Sequence, residues 1–113
     1  AVALGAGLVP VRKPGKLPFR TNRLEYALEY GSDVVEIHDD ALDTTSRVLI
    51  VDDVLATGGT AAATASLVRQ LGAHVIGSTF LIELEFLGGR ERLVDQRVES
   101  CVVYRQAQAT LTD

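Results

Sequence analysis

Residues 48–60 read VLIVDDVLATGGT, and the order of residue types in this stretch decides the fold. The first four residues are apolar and three of them are β-branched, which predicts a strand buried on both faces of a sheet. Two carboxylates, Asp52 and Asp53, follow this strand directly. A short loop of small residues comes next, and the alanine-rich residues 61–71 then predict a helix.

The loop between the carboxylates and the helix has the composition of a phosphate site. Its residues are small or carry a hydroxyl group, so a ligand can approach the backbone closely: Ala56, Thr57, Gly58, Gly59 and Thr60. The first N–H groups of a helix lack intrahelical partners, and the helix dipole is positive at that end, so an anion can bind there. The two aspartates cannot bind phosphate, but they can accept hydrogen bonds from sugar hydroxyls. The stretch therefore predicts a site for a phosphorylated sugar, and a structural glycine-rich turn beside solvated aspartates is the alternative.

The length and composition favour a single globular domain in the cytoplasm. The chain has 113 residues, of which 47% are apolar and 23% are charged, and its net charge of −4 argues against general nucleic-acid binding. Cys101 is the only cysteine, so an internal disulfide cannot form, and we expect a reducing compartment with Cys101 packed in the core. No apolar run reaches the roughly 20 residues of a membrane span, and the first residues lack the pattern of a signal peptide. We therefore expect neither a membrane nor a nucleic acid as a partner.

Secondary-structure signals along the rest of the chain alternate between strands and helices. The expected elements are a helix tail over 1–4, a short strand over 8–12, a hairpin of 24–30 with 34–38 that turns across 31–33, and strands over 47–51, 74–83 and 98–104. Residues 24–31 also permit a helix, because Leu, Glu and Tyr recur there at a spacing of four. The alternation indicates an α/β fold with a parallel sheet, in which the ligand loop lies at the carboxyl ends of the strands.

Residues 13–23 read KPGKLPFRTNR and predict a mobile loop, because they hold two prolines, a glycine and four basic residues without a hydrophobic period. A loop of this length is often an active-site lid, and we expect a flexible lid over residues 13–31. A basic lid over a pyrophosphate group would neutralise its charge and exclude water. The candidate cations are Arg12, Lys13 and Lys16, and a solvated surface loop is the alternative.

Glu29 and several other polar residues are the remaining candidates for chemistry. Followed by Tyr30, Glu29 offers a carboxylate that can hold a base or accept a proton from it, and a solvent-facing turn residue is the alternative. His38 and His74 have no metal-ligand spacing to another His or Cys, so we interpret both as structural. A mixed cluster of charges is interpreted as a solvated face: Glu83, Glu85, Arg90, Glu91 and Arg92.

Several stretches of the chain match one family when they are taken together. Residues 48–60 lack the lysine of GxxxxGK[ST] and the third glycine of GxGxxG, and they resemble instead the motif that binds 5-phosphoribosyl 1-pyrophosphate (PRPP) in type I phosphoribosyltransferases. Further stretches resemble the adenine phosphoribosyltransferases: VPVRKPGKLP at 9–18, LEYG at 28–31, EIH at 36–38, FLIEL at 80–84 and LGGRERL at 87–93. The resemblance spans nearly the whole chain and implies a parallel-sheet type I phosphoribosyltransferase core with helices on its faces.

The same resemblance implies a reaction and its participants. In this family adenine N9 is joined to C1′ of PRPP, which gives AMP and pyrophosphate in purine salvage, with Mg²⁺ bridging pyrophosphate and ribose oxygens. Asp52 and Asp53 match the pair that holds the ribose 2′- and 3′-hydroxyls and meets Mg²⁺ only through its other ligands, and residues 56–60 match the 5′-phosphate loop. Oxocarbenium character develops at C1′, so the enzyme must stabilise the departing pyrophosphate and position the base.

The resemblance also assigns roles to the predicted lid and to one strand residue. Arg12, Lys13 and Lys16 match basic residues that serve the pyrophosphate, some of them across the interface of a homodimer. Glu29 matches the lid carboxylate that meets the N7 edge of adenine, with Tyr30 beside it. Leu81 is expected to lie against the purine.

The chain departs from this family in length. Family members are longer, and we expect the portion without a counterpart to lie before Ala1, so the chain reads as the carboxyl-terminal two-thirds of such an enzyme. Residues 19–24 read FRTNRL, which is more basic than the polar stretch that the resemblance implies. Two other functions stay open: a PRPP- or nucleotide-binding module without catalysis, and a phosphoribosyltransferase for another purine.

Overall fold

The computed structural model describes residues 1–12, 21–28, 31–38 and 40–105, and for residues 21–28 and 31–34 it describes the backbone alone. The strands and the α-helix are β1 (Thr21–Leu28), β2 (Gly31–His38), β3 (Arg47–Leu55), α1 (Gly59–Gln70), β4 (His74–Leu84) and β5 (Val98–Tyr104). Three 3₁₀ turns accompany them, at Val2–Leu4, Glu85–Leu87 and Gly89–Arg92.

Three strands form a parallel sheet in the order β3-β4-β5. Arg47 at the start of β3 lies opposite His74 of β4, and Leu55 at its end lies opposite Glu83. β5 runs beside β4 in the same direction. The parallel sheet confirms the predicted α/β fold, and it brings the carboxyl ends of all three strands to one edge, where ligands bind in such sheets.

The two remaining strands, β1 and β2, form an antiparallel hairpin. The hairpin itself was predicted, and its residues adopt strands and not the helix that residues 24–31 also permit. Leu28 lies opposite Gly31, so the strands are joined across residues 29–30 and the predicted turn at 31–33 is wrong. β1 begins at Thr21, opposite His38, so residues 21–23 of the predicted loop form part of a strand, and residues 13–20 of that loop lie outside the described residues.

Helix α1 packs between the hairpin and the parallel sheet. Its alanines allow close approach on both sides, because a methyl group adds little bulk. The cluster on the hairpin side consists of Val35, Ile37, Ala63 and Leu67, and the cluster on the sheet side consists of Leu55, Ala61, Phe80 and Leu93. The helix prediction is confirmed, with the first turn beginning earlier, at Gly59. None of the described helices is long and apolar enough to cross a membrane.

Strand β3 is covered on one side only among the described residues. Ile50 is 7% exposed, whereas Leu49 is 39% and Val51 is 71% exposed. The prediction that this strand is buried on both faces is therefore wrong for the part of the chain that the structure describes, because no described element packs over Val51. Cys101 of β5 is exposed as well, so its predicted place in the core is also wrong.

The segment before the hairpin is irregular. The strand predicted over residues 8–12 is reduced to a single bridge, in which the Arg12 N–H donates to the Glu36 carbonyl at 3.0 Å and the Glu36 N–H donates to the Arg12 carbonyl at 2.7 Å. Pro10, which has no N–H group, cannot extend this ladder. The predicted helix tail over 1–4 is a 3₁₀ turn, and Gly5 ends it with a φ of 63° as expected.

Candidate functional site

A cavity of about 70 Å³ lies at the carboxyl end of β3, where the strand leads into α1. It is lined by Asp52 and Val54 of β3, by Phe80 of β4 and by residues 55–61. A single water needs roughly 10–15 Å³ of such space, so the cavity has room for a group larger than one water. Side chains do not fill the turn, and its size suits the group that the sequence predicts.

The backbone of the loop depends on Gly58, which precedes the helix. Gly58 has a φ of +87°, a conformation that residues with side chains rarely adopt. Its carbonyl accepts a hydrogen bond from the Ala62 N–H at 2.9 Å, which closes the first turn of α1. The first turn contains no acidic residue. The positive end of the helix dipole therefore faces the cavity without a carboxylate of its own turn to repel an anion.

Thr57 and Thr60 add hydroxyl groups to the lining of the same cavity. Thr57 is half-buried and Thr60 is exposed. The carbonyl of Thr60 accepts a hydrogen bond from Thr64 Oγ1 at 2.8 Å, which ties the start of α1 to its second turn. All five predicted loop residues, 56–60, thus line one cavity.

The acidic pair belongs to β3 itself, which continues to Leu55 and does not end before the aspartates. Successive residues of a strand face opposite sides, yet the Asp53 side chain stays close enough to the Asp52 carboxyl to raise its pKa. Both aspartates are exposed, and Asp52 lines the cavity of the loop, whereas Asp53 lines neither this cavity nor the second cavity described below. The Asp53 N–H donates to Asp52 Oδ1 at 2.8 Å, and the Val54 N–H donates to Asp53 Oδ1 at 2.9 Å. Each carboxylate is thus oriented through one oxygen and can offer the other to a ligand.

Partial desolvation of the Asp52 carboxyl raises its pKa above the ordinary value for an aspartate, and the side-chain contact with Asp53 and the charge of Asp53 raise it further. The hydrogen bond from the Asp53 N–H acts in the opposite direction. Hydroxyl donors on a ligand would stabilise the charged form of this carboxylate, because hydrogen bonds to the ionised group favour it.

A second cavity, of about 310 Å³, joins Asp52 to Arg12. Its walls come from residues 8–12, from residues 48–52 of β3, and from Ile37, Leu42, Thr64 and Val68. The structure thus places Arg12 on the side of the sheet where the sequence predicts it, within a space shared with one of the aspartates. Lys13, Lys16, Glu29 and Tyr30 lie outside the described residues.

Leu81, the residue predicted to contact the purine, is 57% exposed on β4. Its neighbour Phe80 is 2% exposed and lines the cavity of the loop, whereas Leu81 does not. A role for Leu81 at the purine remains a prediction.

Sequence reasoning missed a buried polar group near the loop, which consists of Glu83 and its hydrogen-bond partners. Glu83 was assigned to a solvated face, yet it is 2% exposed, so that assignment is wrong for this residue. Glu83 accepts hydrogen bonds from Arg90 Nε and from Ser100 Oγ. A signal was present in the sequence, because Glu83 lies within the apolar stretch FLIEL, where an ionised group needs a partner.

Comparisons with known proteins place this geometry in a family. A model of the phosphoribosyl transferase domain matches residues 27–109. A curated adenine phosphoribosyltransferase of Acidobacterium capsulatum is 57% identical over 106 residues, which cover 94% of this chain and 59% of that relative. The crystal structure of adenine phosphoribosyltransferase from Thermoanaerobacter pseudethanolicus has a TM-score of 0.89 and 53% identity, covering 91% of this chain and 60% of that one.

A third similar protein has been crystallised with ligands. Adenine phosphoribosyltransferase from Saccharomyces cerevisiae, complexed with D-2,5-dideoxy-2,5-imino-altritol 1,6-bisphosphate and adenine, has a TM-score of 0.84 and 50% identity. The similarity covers 89% of this chain and 57% of the yeast chain. The chain spans 59% of the length of the curated relative and similar shares of the two crystallised ones. With its parallel sheet and its glycine-threonine loop between β3 and α1, the chain belongs to the phosphoribosyltransferase domain family.

Proposed function

We propose that this chain forms the core of an enzyme that transfers the 5-phosphoribosyl group of PRPP to adenine, giving AMP and pyrophosphate in purine salvage. The observation that carries the proposal is the cavity shared by the Asp52 carboxylate and loop residues 56–60. A phosphate and a sugar hydroxyl need these two kinds of group side by side. The yeast relative adds support, because it was crystallised with a bisphosphate and adenine.

The loop and the aspartates would hold the donor substrate. The 5′-phosphate would lie against the N-terminus of α1, where the backbone N–H groups and the hydroxyls of Thr57 and Thr60 donate to it. Asp52 and Asp53 would accept hydrogen bonds from the ribose hydroxyls. Fixing both ends of the ribose phosphate leaves C1′ in one position relative to the incoming base, which lowers the entropic part of the barrier.

Basic residues and lid residues would act on pyrophosphate, which leaves C1′, and on adenine, which replaces it. Arg12 shares a cavity with Asp52, and there it would neutralise charge on the departing pyrophosphate together with Lys13 and Lys16. Glu29 would accept a hydrogen bond at the N7 edge of adenine, with Tyr30 beside it and Leu81 against the purine ring.

We propose Mg²⁺ as the metal, and the donor set supports this choice. No group of three or more metal-ligating side chains occurs within the described part of the chain, so the ion would be held through PRPP, and Asp52 and Asp53 would reach it only through its other ligands. Mg²⁺ usually keeps several waters and binds substrate phosphates. Bound in this way, the ion would neutralise charge on the pyrophosphate, and the two aspartates would orient the ribose hydroxyls that share it.

We also propose that the protein is a cytoplasmic homodimer. The single cysteine, Cys101, is exposed, which suits a reducing compartment. A dimer follows from the family resemblance, in which some of the pyrophosphate-binding cations serve the partner's site. Sedimentation at micromolar concentration would reveal the dimer, and a monomer at all concentrations would contradict it.

The experiment that tests the function is AMP formation from radiolabelled adenine and PRPP with Mg²⁺. The assay compares this chain with a version extended to the full length of its relatives, with hypoxanthine, guanine and xanthine as alternative bases. We expect AMP from the extended version. If that version ignores adenine and accepts another base, the substrate is wrong and the protein is a phosphoribosyltransferase for that base.

A binding module without catalysis is the second candidate. It is compatible with the cavity at residues 56–60, which supplies groups that bind a sugar phosphate and does not by itself show transfer. PRPP binding by the extended version without turnover of any base would support this candidate over the enzyme.

A further inference from the structure

We propose that Glu83 and Arg90 are positioning residues for the phosphate loop: their ion pair holds the turn Gly89–Arg92 so that the main chain of Gly89 fixes the shape of residues 56–58. The inference rests on the proposed function for the identity of the ligand, but the support of the loop is a property of the chain itself. Neither residue lines the cavity described above.

The ion pair joins β4 to the turn through an unusually enclosed carboxylate. Arg90 Nε lies 3.0 Å from Glu83 Oε1 and 2.8 Å from Oε2, while Glu83 is only 2% exposed. Ser100 of β5 donates to Oε1 at 2.8 Å, and Arg90 Nη1 donates to the Val98 carbonyl at 3.0 Å. Arg90 thus binds two neighbouring strands at once, which a lysine with one point charge cannot reproduce.

The turn held by Arg90 lies directly against the loop. A Cβ atom on Gly89 would lie 2.5 Å from the Ala56 carbonyl oxygen and 2.8 Å from Leu55 Cδ1. A Cβ atom on Gly58 would likewise lie 2.5 Å from the Gly89 carbonyl oxygen. The two backbones therefore touch without side chains between them, and a movement of one must displace the other.

The other end of the turn is anchored in the core. Leu93 is 1% exposed and packs with Leu55, Ala61 and Phe80, the residues that flank the loop on the sheet side. The ion pair thus fixes the turn at Arg90, and packing in the core fixes it at Leu93. Gly89, which precedes Arg90, contacts the loop. Such support matters because a displacement of about 1 Å in a binding group can lower the rate about 100-fold.

The test uses amide hydrogen exchange and PRPP binding on the same variants. Arg90→Ala removes the anchor, and Glu83→Gln removes the charge while keeping the volume, so it serves if Arg90→Ala fails to fold. Arg69→Ala is the matched control, because Arg69 forms an exposed ion pair with Asp95 at 3.0 Å and lines neither cavity. Exchange at residues 56–60 is compared with exchange at residues 78–82 of β4, which separates local opening from global unfolding.

We expect exchange at residues 56–60 to accelerate in Arg90→Ala and Glu83→Gln, with little change at residues 78–82 and none in Arg69→Ala. The affinity for PRPP with Mg²⁺ should fall about tenfold, as for the loss of one charge-assisted hydrogen bond to the phosphate. Equal exchange at residues 56–60 in the Arg90 and Arg69 variants would overturn the inference. If the unmodified chain does not bind PRPP, the proposed function fails, and the exchange result still decides whether the pair positions the loop.

Discussion

Asp52 is the residue at which ligand binding and fold stability oppose each other. Partial desolvation raises the pKa of its carboxyl, so the folded protein disfavours the ionised form. An acid with a raised pKa in the folded state lowers stability once the pH exceeds its ordinary pKa of about 4. This direction predicts that the charge of Asp52 does not stabilise the fold at neutral pH.

Asp52→Asn should separate the two effects. The affinity for PRPP should fall about 10- to 100-fold, because a hydrogen bond to a charged group contributes about 1.5–3 kcal/mol. The Tm at pH 7 should stay unchanged or rise, because the disfavoured charge is removed. Calorimetry with and without PRPP and Mg²⁺ measures both quantities.

Asp95→Asn is the control for this change, since Asp95 carries an exposed ion pair with Arg69 and should alter neither affinity nor stability by much. A fall in Tm as large as the fall in binding free energy would support a structural turn in place of a ligand site.

Among individual residues, some members of the site could be predicted from the sequence and others could not. Asp52, Asp53 and loop residues 56–60 are contiguous, so their chemistry could be read from one stretch. Gly89 could not be found in this way, because its role comes from contact with Gly58, which is remote in sequence. Glu83 was misassigned for a similar reason, since its partners Arg90 and Ser100 come from different elements.

At the scale of elements, the hydrophobic pattern predicted the parallel strands and α1, and it missed mainly the end of β3 and the bounds of α1. β5 has the predicted bounds, and β4 differs by one residue. β3 is longer than predicted, because its pairing with β4 continues through the acidic residues to Leu55. Residues 8–12 do not form the predicted strand, because within the described part of the chain only Arg12 pairs with a strand, at Glu36 of β2.

The junction of β4, β5 and the turn Gly89–Arg92 gives a prediction about pH. Hydrogen bonds from Arg90 hold the pKa of the Glu83 carboxyl below its ordinary value, with a further contribution from Ser100, although burial acts against them. The charges of Arg90 and Arg105 also favour the ionised Glu83, and Glu85 and Glu99 lie close enough to Arg90 to raise its pKa. A lowered carboxyl pKa adds stability above the ordinary value of about 4.3, and this stability is lost as the pH falls through the folded-state pKa.

Glu83→Gln should therefore unfold more readily than the unmodified chain at pH 7, and the difference should shrink as the pH falls below about 4. Urea unfolding at several pH values measures it. A difference in unfolding free energy that stays constant between pH 7 and pH 3 would show that Glu83 acts through packing and not through its charge.

At the scale of the whole molecule, one side of the sheet and one cavity remain open among the described residues. Val51 and Leu81 are exposed on β3 and β4, at 71% and 57%. The larger cavity runs along β3 between Arg12 and Asp52. The sequence predicted burial of β3 on both faces because the strand begins with a run of apolar residues. Such a run does not say which segment of the chain covers each face.

Amide chemical-shift mapping during titration with PRPP and Mg²⁺ tests most directly whether Asp52 and Asp53 bind the ribose hydroxyls while loop residues 56–60 bind the 5′-phosphate. We predict the largest shifts at residues 52–53 and 56–60, and loss of those shifts in a chain carrying Asp52→Asn and Asp53→Asn. Shifts confined to other parts of the chain, or no shifts at saturating PRPP, would contradict the account.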